Sequence, residues 1–299
     1  MISGLIPVLE TPFTASGALD LDGFQVVIDR QLEAGVDGLM FPGFASEFSK
    51  LSDAERDELE AALLARTRET RVLGIASVPD HGTRNAVLRV ERAIGRGADA
   101  INVLPPYFLA PSGPEVLAHV SAVLEAAGAV PVIVQLAPAL TGSAISARDL
   151  DRLAGEHDNL VAVKVESVPP GPVVTALGQL PHALPGLVGY AGLHLIDALR
   201  RGASGVQPGC SFPELYRRIL DAWHEGDPVH AEALHSRLVP FLSYWMQSVE
   251  LVIQVEKTIS HRRGWISSDY CRKPGRPLDE FERATIDRFM TLLESPLGE

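Results

Sequence analysis

The stretch Arg96-Gly97-Ala98-Asp99-Ala100 decides the fold, because its pattern recurs. Ala34-Gly35-Val36-Asp37-Gly38 precedes it in the chain and Arg201-Gly202-Ala203-Ser204-Gly205 follows it. In each, a glycine stands just past an amphipathic segment, where a left-handed helix cap is needed, and a strand-like run comes next. A helix end that feeds a strand at several points along one chain marks a repeated βα unit.

Working outward from these caps, strand-like runs fall at 4–9, 38–41, 72–76, 100–104, 132–135, 160–166, 187–190 and 205–207. Helical patterns lie between them at 21–34, 53–67, 83–96, 114–127, 147–155 and 193–201. Strand–helix alternation implies parallel strands joined by crossover helices. Eight such units predict an α/β fold, a (β/α)8 TIM barrel, with its catalytic side chains at the C-terminal ends of the strands. An open dinucleotide-binding sheet would carry a glycine-rich turn after its first strand; Glu10-Thr11-Pro12 stands there instead. Ser52-Asp53-Ala54-Glu55 reads as a capping box, with Ser52 the cap and Glu55 its partner. The eighth unit runs on through 211–225, and further helical patterns follow at 228–247, 249–263 and 278–293. We expect residues 1–225 to form the barrel and 226–299 to be a C-terminal helical extension packed on it. No Gly/Ser-rich linker separates the two, so one structural domain is expected overall.

The 299 residues suffice for a barrel with an extension. A formal charge of −12 without a Lys/Arg-rich run argues against nucleic acid and anionic membrane as partners. The opening MISGLIPVLETPF lacks a basic stretch and soon reaches Pro and Glu, so it reads as a first strand and not a signal peptide. Cys210 and Cys271 are the only cysteines; two cannot staple a chain of this size, and a cytoplasmic location is expected.

Lys164 carries the strongest chemical signal. It is one of only four lysines and sits in Leu160-Val161-Ala162-Val163-Lys164-Val165-Glu166, an otherwise apolar strand. Side chains alternate along a strand, so Val161, Val163 and Val165 would face the helices, and Ala162, Lys164 and Glu166 the barrel axis. A lysine stripped of water is held more readily as the neutral amine, which attacks carbonyl carbon. The alternative is a buried Lys164–Glu166 ion pair that only fixes the core.

Five segments together resemble the dihydrodipicolinate synthase / N-acetylneuraminate lyase family of class I lyases. They are IPVLETPFTASGALD, GLMFPGFASEFSKLSDAER, GADAINVLPPYF, VPVIVQLAPALTG and VAVKVE, in order and nearly spanning the chain. The resemblance implies that Lys164 forms a Schiff base with a 2-oxo acid, and that no cofactor is needed beyond this covalent imine. It also implies a homotetramer or homodimer. Several positions depart from the family pattern. The proton-relaying tyrosine of the fifth strand is Gln135, a nearby carboxylate-binding arginine is Leu140, and the paired threonines after the second strand are Phe44 and Ala45. The second member of a tyrosine pair is Phe108, while Tyr107 remains. These changes argue against lysine-biosynthetic condensation and weaken retro-aldol cleavage.

A 2-keto-3-deoxy-L-arabonate dehydratase-like branch of that family is more similar. It shares the glutamine, Ser46-Glu47, Lys164-Val165-Glu166 and Gly209-Cys210-Ser211-Phe212-Pro213. The expected function is therefore dehydration of a 2-keto-3-deoxy sugar acid, with Lys164 and Glu166 catalytic and Glu166 the general base and acid. Phe44, Ala45 and Ser46, with the backbone N–H groups of their loop, are the candidates for the substrate carboxylate. Gln135 and Gln207 are candidates for substrate hydroxyls, or else satisfied core amides. Glu47 reads as a structural brace of the loop. Pyruvate-dependent aldol chemistry and a non-catalytic 2-oxo-acid-binding barrel are the alternatives. No metal is expected: His230 and His235 are five residues apart, and no HExxH motif occurs. Gly189-Tyr190-Ala191-Gly192 reads as an ordinary turn more than a phosphate site. Cys210, Trp223, Tyr244 and Trp245 read as packing or subunit-contact residues.

Overall fold

The computed structural model describes residues 2–142 and 145–294. Its chain forms two compact units, Met1–Ile6 with Asp37–Met40 and Leu64–Gln207, and Pro7–Val36 with Phe41–Leu63 and Pro208–Glu299.

The first unit carries the sheet. Its strands are β1 (Gly4–Leu5), β2 (Gly38–Phe41, whose last residue belongs to the second unit), β3 (Leu73–Val78), β4 (Ala100–Val103), β5 (Val132–Leu136), β6 (Leu160–Val165), β7 (Gly186–Val188) and β8 (Gly205–Val206). They follow one another in the order β1-β8-β7-β6-β5-β4-β3-β2. The recorded ladders are parallel, including β1 on β8. Asp37 joins the two ends. Its N–H donates to Leu5 O at 2.8 Å, and its carboxylate accepts the Leu5 N–H at 2.8 Å. The result is the expected (β/α)8 barrel.

Helices Thr83–Gly95, Gly113–Ala127, Ala147–Glu156, Gly171–Gly178 and Leu195–Arg200 connect the strands of this unit. Their apolar faces meet the outward side chains of the sheet in one core. Val163 and Val165 of β6 lie there with Val120, Leu150, Leu153, Val174 and Leu177, as strand alternation requires. The repeated caps behave as expected: Gly35, Gly97 and Gly202 take φ of 72°, 88° and 89°.

Two elements differ from the sequence reading. Regular β1 stops at Leu5, although the alternate donors continue past it, with Ile6 N–H donating to Val206 O at 2.9 Å and Val8 N–H to Pro208 O at 2.8 Å. Helix Gly171–Gly178 was not legible, since Pro169-Pro170-Gly171-Pro172 followed by two valines reads as a loop or strand. The crossover from β6 to β7 imposes it, and Val174 and Leu177, three apart, bury its inner face.

The second unit is helical, with Leu21–Glu33, Pro213–His224, Pro228–Trp245, Val249–Arg262 and Glu280–Glu294. Ser52 and Glu55 form the expected capping box: the Glu55 N–H donates to Ser52 Oγ at 3.3 Å, and the Ser52 N–H to Glu55 Oε2 at 2.9 Å. Trp245 packs in an aromatic cluster, with its ring 4.9 Å from Phe289 and that of Phe289 4.8 Å from Phe212. Tyr244 is exposed and donates to Glu282. Among the described residues no helix is long and apolar enough to cross a membrane.

Candidate active site

Lys164 is the penultimate residue of β6, paired in register with Gln135 of β5. Glu166 follows the strand and stays tied to it, its N–H donating to Leu136 O at 2.7 Å. Because Lys164 and Glu166 are two apart they share a face. Lys164 Nζ lies 3.3 Å from Glu166 Oε1, and both side chains are nearly enclosed, at 4% and 11% exposure. An ammonium and a carboxylate so removed from water compensate each other.

Gln135 occupies the position of the missing phenol and does different work. Its Nε2 donates to Glu166 Oε2 at 2.6 Å, and its Oε1 accepts from Asn102 Nδ2 at 3.0 Å. An amide cannot relay a proton as a phenol does, but it can hold a carboxylate in one orientation. Gln207 differs: Nε2 makes a weak contact to Met40 Sδ at 3.7 Å, and buried Oε1 has no partner among the described residues.

The turn after β7 approaches Glu166 from another side. Tyr190 and Ala191 both take positive φ, 51° and 50°, a costly conformation for residues other than glycine. Burial, reinforced by the charge of Glu166, raises the Tyr190 phenol above its ordinary range. Burial also raises that of Tyr107. Phe108 and Leu140, which replace a tyrosine and an arginine of the family pattern, are exposed.

In the second unit, the loop after β2 forms two short 3-10 turns, Phe44–Ser46 and Phe48–Lys50. Ser46 is fully buried, and its hydroxyl is committed: it accepts the Gly43 N–H at 2.8 Å and donates to Leu9 O. With its one proton used, the Ser46 side chain braces the turn. The Phe44 and Ala45 N–H groups open that turn, where a helix leaves its first donors without an internal partner. Glu47 is the brace the sequence suggested. It takes a left-handed φ of 54°, is buried against Lys257, and accepts from Lys50 Nζ at 3.2 Å and from the Arg272 N–H at 3.1 Å. Cys210 is buried and accepts the Glu10 N–H at 3.3 Å, a packing role.

Sequence reasoning passed over Asn102 and Ser77, which the structure links to this site: Asn102 Nδ2 also donates to Ser77 Oγ at 2.9 Å. A single Asn or Ser in an apolar strand is unremarkable. The available signal was collective, one polar residue in an otherwise apolar run on each of four consecutive strands.

The chain belongs to the dihydrodipicolinate synthetase family, whose model matches residues 1–292. It is an enzyme, a lyase of that family. Over 244 residues it is 36% identical to 4-hydroxy-tetrahydrodipicolinate synthase 1 of Streptomyces coelicolor, covering 79% of this chain and 76% of the relative. It is 31% identical to the L-2-keto-3-deoxyarabonate dehydratase of Azospirillum brasilense, covering 95% and 92%. A third relative is the putative 2-dehydro-3-deoxy-D-gluconate aldolase YagE of Escherichia coli, 29% identical over 98% of each chain. The crystal structure of YagE in complex with pyruvate superposes with a TM-score of 0.88, covering 98% of this chain and 99% of that one.

Proposed function

We propose that this enzyme dehydrates a 2-keto-3-deoxy sugar acid through an imine on Lys164. One observation carries the reading: the Lys164 amine and the Glu166 carboxylate meet at 3.3 Å in a nearly water-free site, with an amide where a phenol would relay protons. The similarity to a 2-keto-3-deoxyarabonate dehydratase over almost the whole chain supports it.

Lys164 first passes a proton to Glu166 and attacks C2 of the 2-oxo acid as the neutral amine. The carbinolamine hydroxyl takes that proton from Glu166 and leaves as water, giving the iminium, which acidifies the C3 protons. Glu166, once more a carboxylate, removes one, and the C3–H electron pair moves to make the C2–C3 double bond of an enamine. The enamine nitrogen then drives out the C4 hydroxyl, which takes the proton held by Glu166 and leaves as water. Hydrolysis of the conjugated iminium consumes the water released at its formation, so the net change is loss of one water. Gln207 Oε1 is the proposed acceptor for a substrate hydroxyl. We take the working enzyme to be a homotetramer or homodimer, as the resemblance implies.

Borohydride reduction in the presence of pyruvate and a panel of 2-keto-3-deoxy acids tests this reading. A ligand-sized mass on Lys164, absent in Lys164→Ala, is expected, together with an unsaturated or rearranged 2-oxo acid as product. Release of pyruvate and an aldehyde would make the enzyme an aldolase. Ligand binding that survives Lys164→Ala without turnover would make it a binding protein. Glu166→Gln should still trap pyruvate yet lose turnover; normal turnover would overturn the role of Glu166.

A further inference from the structure

A line of polar side chains crosses four neighbouring strands of the first unit and ends on Glu166. It runs Ser77 on β3, Asn102 on β4, Gln135 on β5 and then Glu166 beyond β6, and the first three are at most 2% exposed. No solvent can substitute for a missing partner at such positions.

The line has a direction. Asn102 Nδ2 has two hydrogens, and two acceptors take them, Ser77 Oγ at 2.9 Å and Gln135 Oε1 at 3.0 Å. Its own carbonyl Oδ1 is buried without a partner among the described residues. Burying an unpartnered carbonyl is unfavourable, so the amide earns its place through its nitrogen. An amide that accepts at Oε1 presents Nε2 on its other branch, and Gln135 Nε2 duly donates to Glu166 Oε2 at 2.6 Å. Asn102 thus fixes which end of the Gln135 amide meets the carboxylate.

We infer that Asn102 is a positioning residue of the active site: acting through Gln135, it holds Glu166 Oε2 as a permanent acceptor and confines the transferable proton to Oε1. A proton on Oε2 would confront the Gln135 N–H, donor against donor. Oε1 is the oxygen 3.3 Å from Lys164 Nζ. The inference rests on the proposed acid–base role of Glu166 and adds where on that carboxylate the proton travels. The groups that face Glu166 are Gln135 from β5, Lys164 from β6 and Tyr190 from the turn after β7.

Pyruvate is a sufficient probe, because its C3 protons exchange with solvent deuterium once the Lys164 imine loses one to a base. Exchange is followed by NMR across pH, beside borohydride trapping on the same samples. Asn102→Asp replaces the donor by an acceptor, so the Gln135 amide must turn and face its oxygen to Glu166. Exchange is expected to fall about tenfold or more, and the acid limb of its pH profile to move up by about one pH unit, with trapping unchanged. Asn102→Leu removes the donor without inverting it; exchange should fall with trapping retained and a smaller movement of the limb. If either folded variant exchanges at the wild-type rate with the wild-type profile, Asn102 is a packing residue and the inference is overturned. It is equally overturned if trapping and exchange fall in step, which would place the defect at Lys164. Glu166→Gln, run alongside, separates the two ideas. Exchange retained in that variant sinks the role of Glu166 itself, whereas exchange lost there but kept in both Asn102 variants sinks only the positioning role.

Discussion

The backbone of Gly189 runs so close to Glu166 that a Cβ built on it would stand 2.2 Å from Glu166 Cγ and 2.6 Å from Oε1. Its φ is negative, −89°, and the Glu166 side chain fills the space that a Cβ would need. Gly189→Ala should therefore fold and still trap pyruvate, but displace the carboxylate. A loss of turnover of about 100-fold is expected, since misplacement by about 1 Å costs that much. Steady-state rates beside trapping yields check it; an alanine variant of normal activity would mean the carboxylate can shift without consequence.

Besides the role proposed for it, Lys164 is the ion-pair partner of the enclosed Glu166. Lys164→Ala leaves the Glu166 charge without its cation, and breaking such a pair costs about 3 kcal/mol. Denaturant unfolding should show that loss in Lys164→Ala and recover much of it in Lys164→Ala/Glu166→Gln. Equal stability of wild type and the single variant would show that Gln135 alone suffices to hold the carboxylate.

Glu10 predicts a dependence of stability on pH. Complete burial is the main cause that raises its carboxyl from 4.5 to about 7; the Glu256 charge adds to it, while Ser260 and Lys257 oppose it. A group raised on folding contributes its full stability below the unfolded value and loses it as pH rises through the folded one. The window is therefore from 4.5 to about 7, with a loss of about 3 kcal/mol across it. Glu10→Gln should lack this loss. Unfolding free energies of both proteins at pH 5 and pH 8 test the difference, and parallel behaviour would refute it.

The Glu47–Lys257 pair is fully enclosed. Lys257→Met should destabilise the protein by about 3 kcal/mol, because the buried carboxylate keeps only part of its compensation. Glu47 retains Lys50 and the Arg272 N–H in that variant. Thermal melts of Lys257→Met and of Lys257→Met/Glu47→Gln measure the effect, and the double variant should regain part of the loss.

Most of the architecture was legible because two periodicities carry it. Alternation in 160–166 placed Lys164 and Glu166 on one face, and their contact follows from it. Helix Asp53–Thr67 was bounded by its capping box and its acidic first turn. What the sequence hid were effects of distance along the chain. Asn102 and Gln135 are 33 residues apart, and only the β4–β5 pairing brings their amides together. Ser46 looked like a donor for substrate because nothing in the sequence reveals that Leu9 O claims its proton. Helix Gly171–Gly178 escaped because its residues favour other structures, and only the crossover demands it.

Asp37 has a consequence beyond joining β1 to β2. A sheet that ends in open strands displays rows of free N–H and C=O groups on which another molecule can add a strand. Here the strand beside that join has only two regular residues, and one carboxylate occupies the Leu5 N–H. Gly4 keeps the space open, since a Cβ there would stand 2.1 Å from Asp37 Oδ2. In this protein Asp37 closes that seam twice over, with its backbone N–H on Leu5 O and with a carboxylate on the Leu5 N–H that Gly4 leaves room for.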